Sequence, residues 1–382
     1  MKNFGKKFIA CACALALTTG AAALAACGGG DDEVKIGVLV SDVSGEEAVA
    51  FRNYYTQYIA EQYDVTFTYT EQLTDSASEI AAIEQFAGQN YDAIISLSAN
   101  DRASQVEACE EAEMYYAIAS GMDDTIYETY KGYDYFVGQI GPSMSTEYQA
   151  GLAMGQYYAD RIEDSVAIYG AFIPNPMHVY RMAGLLTGLG ATYGGATGEA
   201  IVGAIFADSG VTASKIALDG KTVSYLAGFV DSTMTEMGTI IATNPDALLS
   251  VGMATTFFTA MLNEAHIPYA DIDSFTSSNG TNMQNGSLEY LAGKYTSSIG
   301  PVFAAVYNAI NGNKIEDDDG NAISISQGYW IATSYEQFRV FQTSDSATNP
   351  IYDKELLDTV IGEDVTYEQF ETFVTTDRTP QA

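Results

Sequence analysis

From Val34 onward, short apolar runs of the chain alternate with segments whose apolar residues recur at helical spacing. The run VKIGVLV is typical of a buried strand, and Ala48, Phe51, Tyr55 and Ile59 then follow at intervals that suit one face of a helix. The strand-like runs VTFTYT, DAIISLS and YYAIAS come next, with helical segments predicted after the first two, the earlier opened by a capping box from Ser76 to Glu79. Strands separated by helices pair in parallel, so this order predicts one α/β lobe with helices on both faces of its sheet.

A second series of the same kind begins after YFVGQIGPS, where a short strand runs into a Gly-Pro pair. Four helices are predicted in it, over 146–160, 179–189, 233–242 and 255–265. The strands predicted between them are SVAIYGAF, AIVGAIF and DALLSVG, and a further strand is predicted after the last helix, near 272–276. The chain is therefore expected to form two α/β lobes of similar size.

The end of the chain is expected to return to both lobes. GNKIEDDDGNAISIS has the pattern of a hairpin with an Asp-Gly turn, and GYWIATSYEQF follows it. We predict an N-terminal lobe from 34–138 and 300–328, and a C-terminal lobe from 139–299 and 329–382. The predicted fold class is α/β, with two Rossmann-like lobes joined by a hinge.

The first 33 residues have the pattern of an export signal and a tether. Lys2, Lys6 and Lys7 precede an apolar stretch over 8–26, as in a secretory signal peptide. Its end, LAAC, resembles the lipobox of bacterial lipoproteins, which implies cleavage after residue 26 and lipid on Cys27. Residues 27–33, rich in Gly and Asp, then suit a flexible tether. The alternative is a transmembrane anchor, which a stretch so rich in Ala and Thr favours less.

Cysteine usage and charge narrow the class of protein further. Of four cysteines, Cys11 and Cys13 lie in the signal and Cys27 carries the lipid, so Cys109 alone remains and no intramolecular disulfide is possible. Loss of three lysines with the signal takes the net charge from −34 to −37. A surface with this charge repels nucleic acid and anionic lipid headgroups.

Several stretches resemble the type I substrate-binding proteins of ATP-binding-cassette (ABC) importers, a group that includes ribose- and galactose-binding proteins. They are VKIGVLVSD, FVGQIGPSMSTEYQAGLAMGQYYA, HVYRMAGLLTGL, NPDALLSVGMATTFFTAMLNEAHI and GKYTSSIGPVFAAVYNAINGN. The resemblance spans nearly the whole mature chain. It implies a periplasmic-binding-protein fold of type I and capture of a small polar ligand, most often a sugar.

The chain departs from the sugar-binding pattern at three loops. The first loop is Ser-Asp-Val-Ser-Gly-Glu over 41–46 where those proteins place an Asn and aromatics, and Val251-Gly252-Met253 replaces an Asn-Asp pair. Ser277 or Ser278 takes the place of a third-loop Asp. YGAFIPNPMHVYRMAG and LAGFVDSTMTEMG are similar to the nucleoside-binding basic membrane lipoproteins, so a nucleoside remains the alternative ligand.

Candidate ligand residues come from the loops after the strands, because ligands of open α/β sheets lie beyond the carboxyl ends of the strands. Arg181 matches the Arg-x-x-Gly helix of the resembled family and offers a planar fork of donors, or else forms an interlobe salt bridge. Phe206 ends the predicted strand AIVGAIF as a stacking platform or as core. The other candidates are short polar residues that equally suit helix caps or turns: Asp42, Asn100, Asp101, Ser120 and Asn279.

Enzymatic and metal-binding patterns are weak. His178 and His266 are the only histidines and lie in no metal-binding spacing, and no Gly-x-Ser-x-Gly elbow occurs. The acidic loop over 317–321 lacks the Glu that a calcium loop needs six residues after its glycine. We therefore expect no enzyme, no cofactor, no metal and no nucleic acid. The expected protein is a monomer, lipid-anchored on the outer face of the bacterial cytoplasmic membrane, that passes its ligand to an ABC permease or reports it as a sensor.

Overall fold

A computed structural model describes residues 33–119 and 121–381. Within this part of the chain the strands are β1 Val34–Val40, β2 Val65–Tyr69, β3 Ala93–Leu97, β4 Tyr115–Ile118, β5 Phe136–Gly141, β6 Ser165–Tyr169, β7 Thr192–Tyr193, β8 Ile216–Ala217, β9 Thr222–Leu226, β10 Ala247–Ser250, β11 Tyr269–Ile272, β12 Leu288–Gly293, β13 Ile323–Ser326 and β14 Trp330–Ala332. The α-helices are α1 Glu46–Asn53, α2 Ala60–Tyr63, α3 Ser76–Ala87, α4 Arg102–Glu111, α5 Asp124–Tyr130, α6 Met144–Tyr158, α7 Pro176–Gly188, α8 Ala200–Ala207, α9 Asp231–Ile241, α10 Ala254–Ala265, α11 Ser277–Gln284, α12 Gly300–Ile310, α13 Tyr335–Ser344, α14 Lys354–Leu357 and α15 Tyr367–Thr375. A π-helical turn, Tyr54–Ile59, joins α1 to α2, and 3₁₀ turns lie at Ala213–Lys215 and Thr296–Ile299.

Two six-stranded sheets organise the molecule. The first has the order β13-β5-β4-β3-β1-β2 and all its pairs are parallel. The second has the order β14-β12-β11-β10-β6-β9, and β14 alone runs antiparallel to its neighbour. We call each sheet, with the helices packed on it, a lobe. The predicted α/β fold class with two lobes is confirmed.

The first strand shows why the sheets are covered on both faces. Ile36 and Val38 of β1 are wholly buried in one apolar cluster, and Leu39 is wholly buried in another on the opposite face. A strand that is apolar at consecutive positions can be stable only between two layers of helices, since either face would otherwise meet water. The continuous run VKIGVLV therefore predicts the layering.

The chain passes between the lobes at three places that lie together. They are the links from β5 to α6, from β12 to α12 and from β13 to β14, each within a few residues. Helix α12 packs beside β3, β4 and β5 of the first sheet. Of the segment 329–382, α13 contacts β14 of the second sheet, whereas α15 contacts β13 of the first. The lobe boundaries drawn from the sequence stay a prediction.

Two strands were predicted wrongly in the second lobe. AIVGAIF forms helix α8, not a strand. A short apolar run does not distinguish a strand from a buried helix, and α8 buries Ile201 and Ile205 against its surroundings while it contacts α7. The strand expected near 272–276 is β11, which ends at Ile272, so the residues after it begin a loop and α11.

Two local motifs were also placed wrongly. The capping box of α3 is formed by Asp75 and Ser78, one residue before the predicted pair, because Asp75 caps the helix with its own carboxylate. The turn over 317–320 exists, with the Gly320 N–H donating to the Asp317 carbonyl at 3.0 Å. It does not close a hairpin, since β13 pairs in parallel with β5.

Candidate ligand-binding site

The carboxyl ends of the two sheets meet where α1 approaches the loop after β11. Glu46 at the start of α1 accepts hydrogen bonds from the backbone N–H of Ser277 at 2.6 Å and from the Ser278 hydroxyl at 3.2 Å. Glu47 accepts a further bond from the Ser274 hydroxyl. These contacts join the first lobe to the second across their strand ends, so the space beside them is a cleft bounded by both lobes.

On the first lobe, Asp42 follows β1 as predicted, and its carboxylate is used locally. It accepts from the backbone N–H groups of Ser44 at 3.0 Å and Gly45 at 3.1 Å, which shapes the turn into α1. Partial burial opposes ionisation, but these N–H groups outweigh it and hold the pKa of Asp42 below its usual value. The exposed carboxylate is therefore ionised at neutral pH and serves as a turn residue.

Asn100 and Asp101 follow β3 and are bound by the buried carboxylate of Glu79. The sequence analysis predicts Glu79 as the last residue of a capping box. Glu79 of α3 is wholly buried and accepts from the Ser98 hydroxyl at 2.5 Å, the Asn100 amide at 3.1 Å and the Asp101 backbone N–H at 3.0 Å. Asp101 itself caps α4 through the Ser104 N–H. The side-chain amide of Asn100 and the carboxylate of Asp101 are therefore used to stabilise the loop after β3 and the start of α4.

On the second lobe, Arg181 lies on α7 and is buried among polar partners. Its Nε donates to Glu147 at 2.6 Å, Nη1 donates to the carbonyls of Val251 at 2.9 Å and Ile272 at 3.4 Å, and Nη2 donates to the Tyr329 hydroxyl at 2.9 Å. Burial opposes the charge, but Glu147 and Tyr329 outweigh it and raise the pKa of Arg181. Four of its five N–H groups tie α6, β10, β11 and the link before β14 together.

The remaining candidates lie in different surroundings. Asn279 is wholly buried on α11, where its carbonyl accepts from the Thr255 hydroxyl at 2.5 Å and its amide donates to the Ser274 carbonyl at 2.7 Å. Phe206 lies within helix α8, where its side chain is exposed. The prediction that Phe206 ends a strand is therefore wrong. Ser120 and Cys27 lie outside the described residues. Ligand contact by any of these residues stays a prediction.

The second lobe also carries an exposed aromatic surface at its strand ends. We call it the aromatic wall, and its members are Phe172, Phe229, Val230, Met253 and Phe257. They follow three neighbouring strands, β6, β9 and β10, or begin the helix after β10. Phe172 is 56 % exposed, Val230 63 % and Met253 39 %, which is unusual for large apolar side chains at one edge of a sheet.

The rings of the wall support one another. Phe172 and Phe229 are nearly parallel, with centroids 5.6 Å apart, and Phe229 lies 5.2 Å from Phe257. Phe229 also meets the buried Tyr169 edge to face. Their mutual packing fixes the rings, so the exposed face of Phe172 is a preorganised apolar platform of the kind that stacks on the C–H face of a sugar or on a base.

A neutral histidine stands beside this platform. The Nδ1 atom of His178 lies 3.0 Å from the backbone nitrogen and 3.1 Å from the carbonyl oxygen of Phe172, so it accepts from the N–H in one tautomer and donates to the carbonyl in the other. Burial, with Arg181 nearby, lowers the pKa of His178 to about 4. A Cβ atom added at Gly252 would lie 3.4 Å from Nε2, which is an ordinary van der Waals contact, so Gly252 lies directly beside this ring nitrogen.

Two carboxyl groups of β11 and its loop lie deeper in the same lobe. Asp271 is wholly buried, and its Oδ2 accepts from the Thr255 N–H at 3.1 Å while Oδ1 has no partner. Burial raises the pKa of Asp271, and burial also raises that of Asp273. Among the described residues, no group of three or more His, Cys, Asp or Glu side chains is arranged to hold a metal ion.

A pocket of about 250 Å³ lies at the hinge end of the cleft, between α1, the loop after β11 and the end of α13. Its aromatic residues are Phe51, Phe275, Tyr295, Trp330 and Phe341. All except Phe275 are almost fully buried, and the ring of Tyr295 stacks on that of Trp330 at 4.0 Å. Because four of these five side chains are almost fully buried, the pocket exposes less aromatic surface than the wall, where Phe172 is 56 % exposed. We therefore take the wall as the candidate ligand surface.

Sequence reasoning did not nominate the wall, although the signal was present. Phe172 and Phe229 each stand three residues after the end of a strand, within the stretches SVAIYGAF and LAGFV. Phe172 lay inside a predicted strand, and β9 was not predicted because its place was given to AIVGAIF. With β6 and β9 ended at Tyr169 and Leu226, the phenylalanine three residues beyond each strand indicates a ligand surface at the strand ends.

The sequence matches no protein-family model and no curated protein. Its structure is similar to an ABC transporter solute-binding protein from Bacillus halodurans C-125 with bound myo-inositol, with 18% identity, a TM-score of 0.58, and coverage of 83% of this chain and 100% of that one. It is also similar to a periplasmic solute-binding protein from Actinobacillus succinogenes 130z with bound D-allose, with 13% identity, a TM-score of 0.58, and coverage of 80% and 99%.

A third solved structure is the periplasmic binding protein of the arabinose ABC transporter from Shewanella sp. ANA-3, bound to L-arabinofuranose. Its identity to this chain is 16%, its TM-score is 0.55, and the match covers 80% of this chain and 93% of that one. At these identities the likeness concerns the fold, and the match spans nearly all of each solved chain. This protein has the two-lobed fold of the solute-binding proteins of ABC transporters, as the resemblance in its sequence implies.

Proposed function

We propose that this protein is an extracytoplasmic solute-binding lipoprotein, not an enzyme, that captures a monosaccharide or related polyol and delivers it to an ABC permease. The observation that carries the proposal is the aromatic wall at the carboxyl edge of the second sheet. Closure of two lobes over such a surface removes water from the ligand, which strengthens each hydrogen bond made to it.

The choice of a sugar is supported by the chemistry of the wall. A stack of aromatic rings beside a neutral imidazole offers an apolar face and a polar ring nitrogen, which suits a ligand with C–H faces and hydroxyl groups. The bound ligands named for the similar structures are myo-inositol, D-allose and L-arabinofuranose. A nucleoside is the second candidate, because a base also stacks on an exposed ring.

The anchor and the partners follow from the sequence. The lipobox-like end of the signal supports lipid on Cys27, a tether over 27–33, and a place on the outer face of the cytoplasmic membrane. Among residues 33–119 and 121–381, no helix has the length and apolar character required to cross a bilayer. The protein acts as a monomer on its permease, and a sensory receptor of the same fold is the alternative partner arrangement.

A thermal-shift screen tests the ligand assignment. The chain from residue 28 is screened against pentoses, hexoses, inositols, short oligosaccharides, nucleosides and amino acids. A ligand at 100 times its dissociation constant stabilises the fold by about 2.7 kcal/mol, which a melting curve resolves. We expect a monosaccharide or polyol to give the largest shift. A shift from nucleosides alone would overturn the sugar assignment.

A matched pair of variants locates the site. Phe172→Ala removes an exposed ring of the wall, and Phe206→Ala removes an exposed ring of α8, which is not part of the wall. We expect the first variant to lose most of the ligand-induced shift and the second to retain it. Equal shifts in the two variants would contradict the proposed site.

A further inference from the structure

We propose that the segment over 345–353, which links α13 to α14, is a brace that limits how far the two lobes open. The segment makes a fourth connection between the lobes, in addition to the three links that form the hinge. The proposal goes beyond ligand capture, because it concerns the amplitude of the lobe motion whatever the ligand is.

One end of the brace is fixed to the second lobe. Helix α13 packs against α11 and β14. Its side chains Phe338 and Phe341 are almost fully buried, and both rings contact Phe275, which lies in the loop before α11. Burial of two phenylalanines makes this end a firm anchor.

The other end is fixed to the first lobe. The Tyr54 hydroxyl donates to the carbonyl of Tyr352 at 2.6 Å, and the backbone N–H of Lys354 donates to the Tyr58 hydroxyl at 2.9 Å. Tyr352 and Leu357 are wholly buried, and α14 packs on α12. The chain is therefore held on both lobes by buried contacts.

The middle of the brace is tied to the hinge itself. The carboxylate of Asp345, which is 4 % exposed, accepts from the backbone N–H of Ser297 at 2.9 Å, from the Ser297 hydroxyl at 2.5 Å and from the N–H of Ile351 at 2.9 Å. Ser297 lies in the link from β12 to α12, and its hydroxyl oxygen also accepts from the N–H of Tyr352 at 3.2 Å. One hinge serine thus bonds to both ends of the segment.

Aromatic stacking continues this arrangement through the hinge. The ring of Tyr295 lies between Trp330 at 4.0 Å and Tyr352 at 6.3 Å, and both pairs are nearly parallel. Tyr295 lies in the link from β12 to α12, and Trp330 is the first residue of β14, where the link from β13 ends. The stack therefore joins two hinge links to Tyr352 of the brace. Rotation of the lobes would have to break the buried hydrogen bonds at Asp345 or separate these rings, and either costs free energy.

The test measures the distance between the lobes before and after the brace is cut. Spin labels are placed at the exposed positions Glu84→Cys on α3 and Glu236→Cys on α9. Helix α3 contacts β1, next to the edge strand β2, and α9 contacts the edge strand β9, so both labels lie toward the sheet edges farthest from the hinge. Cys109 is wholly buried and stays unlabelled. A protease site inserted after Ala347, in the turn closed by Ser346 and Asn349, allows the folded chain to be cut there.

The matched control carries the same protease site after Asp319, in the exposed turn before β13, where a cut separates two elements of the first lobe only. Without ligand, we expect the cut after Ala347 to broaden the distance distribution and lengthen its mean by about 5 Å, the arc that a rotation of roughly 10° gives at roughly 30 Å from a hinge. The control cut should leave it unchanged.

Two results would overturn the brace. The first is a distance distribution that is the same before and after the cut at Ala347. The second is release of the piece from Thr348 onward on gel filtration, because a brace requires a firm anchor on the first lobe. Neither result depends on the ligand screen, so a failed brace and a failed ligand assignment are distinguishable.

Discussion

The strand ends of the two lobes use their side chains in opposite ways. At the first lobe, the residues after β1 and β3 are polar, and Asp42, Asn100 and Asp101 are engaged in turns and caps. At the second lobe, the polar groups are buried beneath the edge around Arg181, and the edge itself exposes the rings of the wall. The difference teaches that a polar residue after a strand is often used by its own loop, and that an exposed apolar one is the better indicator of a ligand surface.

The largest effect expected is on stability, from Arg181 in the second lobe. Arg181→Met leaves the buried carboxylate of Glu147 without its cation, which typically costs about 4 kcal/mol of unfolding free energy. The double variant Arg181→Met with Glu147→Gln removes both charges and should recover more than half of that loss. Urea denaturation measures both. If the single variant is as stable as the parent, the structural role of Arg181 is wrong and its role as a ligand donor regains support.

The corresponding test on the first lobe is Glu79→Ala. It removes the acceptor of the hydrogen bonds from Ser98, Asn100 and Asp101, so we expect a loss of about 3 kcal/mol in urea denaturation. Glu84→Ala on the same helix is exposed and serves as the control, with an expected change within about 0.5 kcal/mol. Similar values for the two variants would mean that the loop after β3 is not held by Glu79.

A pH series sharpens the comparison for buried carboxyl groups. The folded pKa of Asp271 lies above its unfolded value of about 3.9, so its contribution to stability is complete below about pH 4 and is lost as the pH rises toward the folded pKa. Each unit of pKa shift corresponds to about 1.4 kcal/mol. The unfolding free energy of the parent should therefore fall relative to that of Asp271→Asn between pH 4 and pH 7.

Asp246→Asn is the control of opposite sign. Its Oδ2 accepts from three backbone N–H groups, those of residues 163, 164 and 165, which outweigh partial burial and lower the pKa of Asp246. That contribution is present above about pH 4 and is lost as the pH falls. The same trend with pH in both variants would contradict the account of Asp271.

The smallest effect expected is at Asp42. Asp42→Ala removes the acceptor for the N–H groups of Ser44 and Gly45, and the loss of these bonds within an exposed turn costs about 1 kcal/mol. Asp42→Asn keeps an acceptor and should cost less than half as much in thermal or urea unfolding. An unchanged stability in Asp42→Ala would free this side chain for a role in ligand contact.

The sequence predicted the fold class because β1 and its partner β3 are nearly continuous apolar runs that are buried on both faces only in a layered α/β fold. It failed at AIVGAIF, where a short apolar run gives no period to separate strand from helix, and at the hairpin, where the turn residues were right but the pairing partner was distant.

The candidate site was less predictable than the fold. Glu79 and Glu147, which hold Asn100 and Arg181, are far from them in sequence, so only the folded chain shows that those polar groups are occupied.

The most direct test of the account is calorimetric titration of the best ligand from the screen into Phe172→Ala and Asn100→Ala. The two variants alter one exposed side chain at each edge of the cleft. We expect Phe172→Ala to weaken binding at least tenfold, about 1.4 kcal/mol, and Asn100→Ala to bind within about threefold of the parent. The reverse order, with Asn100→Ala losing the ligand and Phe172→Ala binding as well as the parent, would contradict the claim that the second lobe provides the ligand surface.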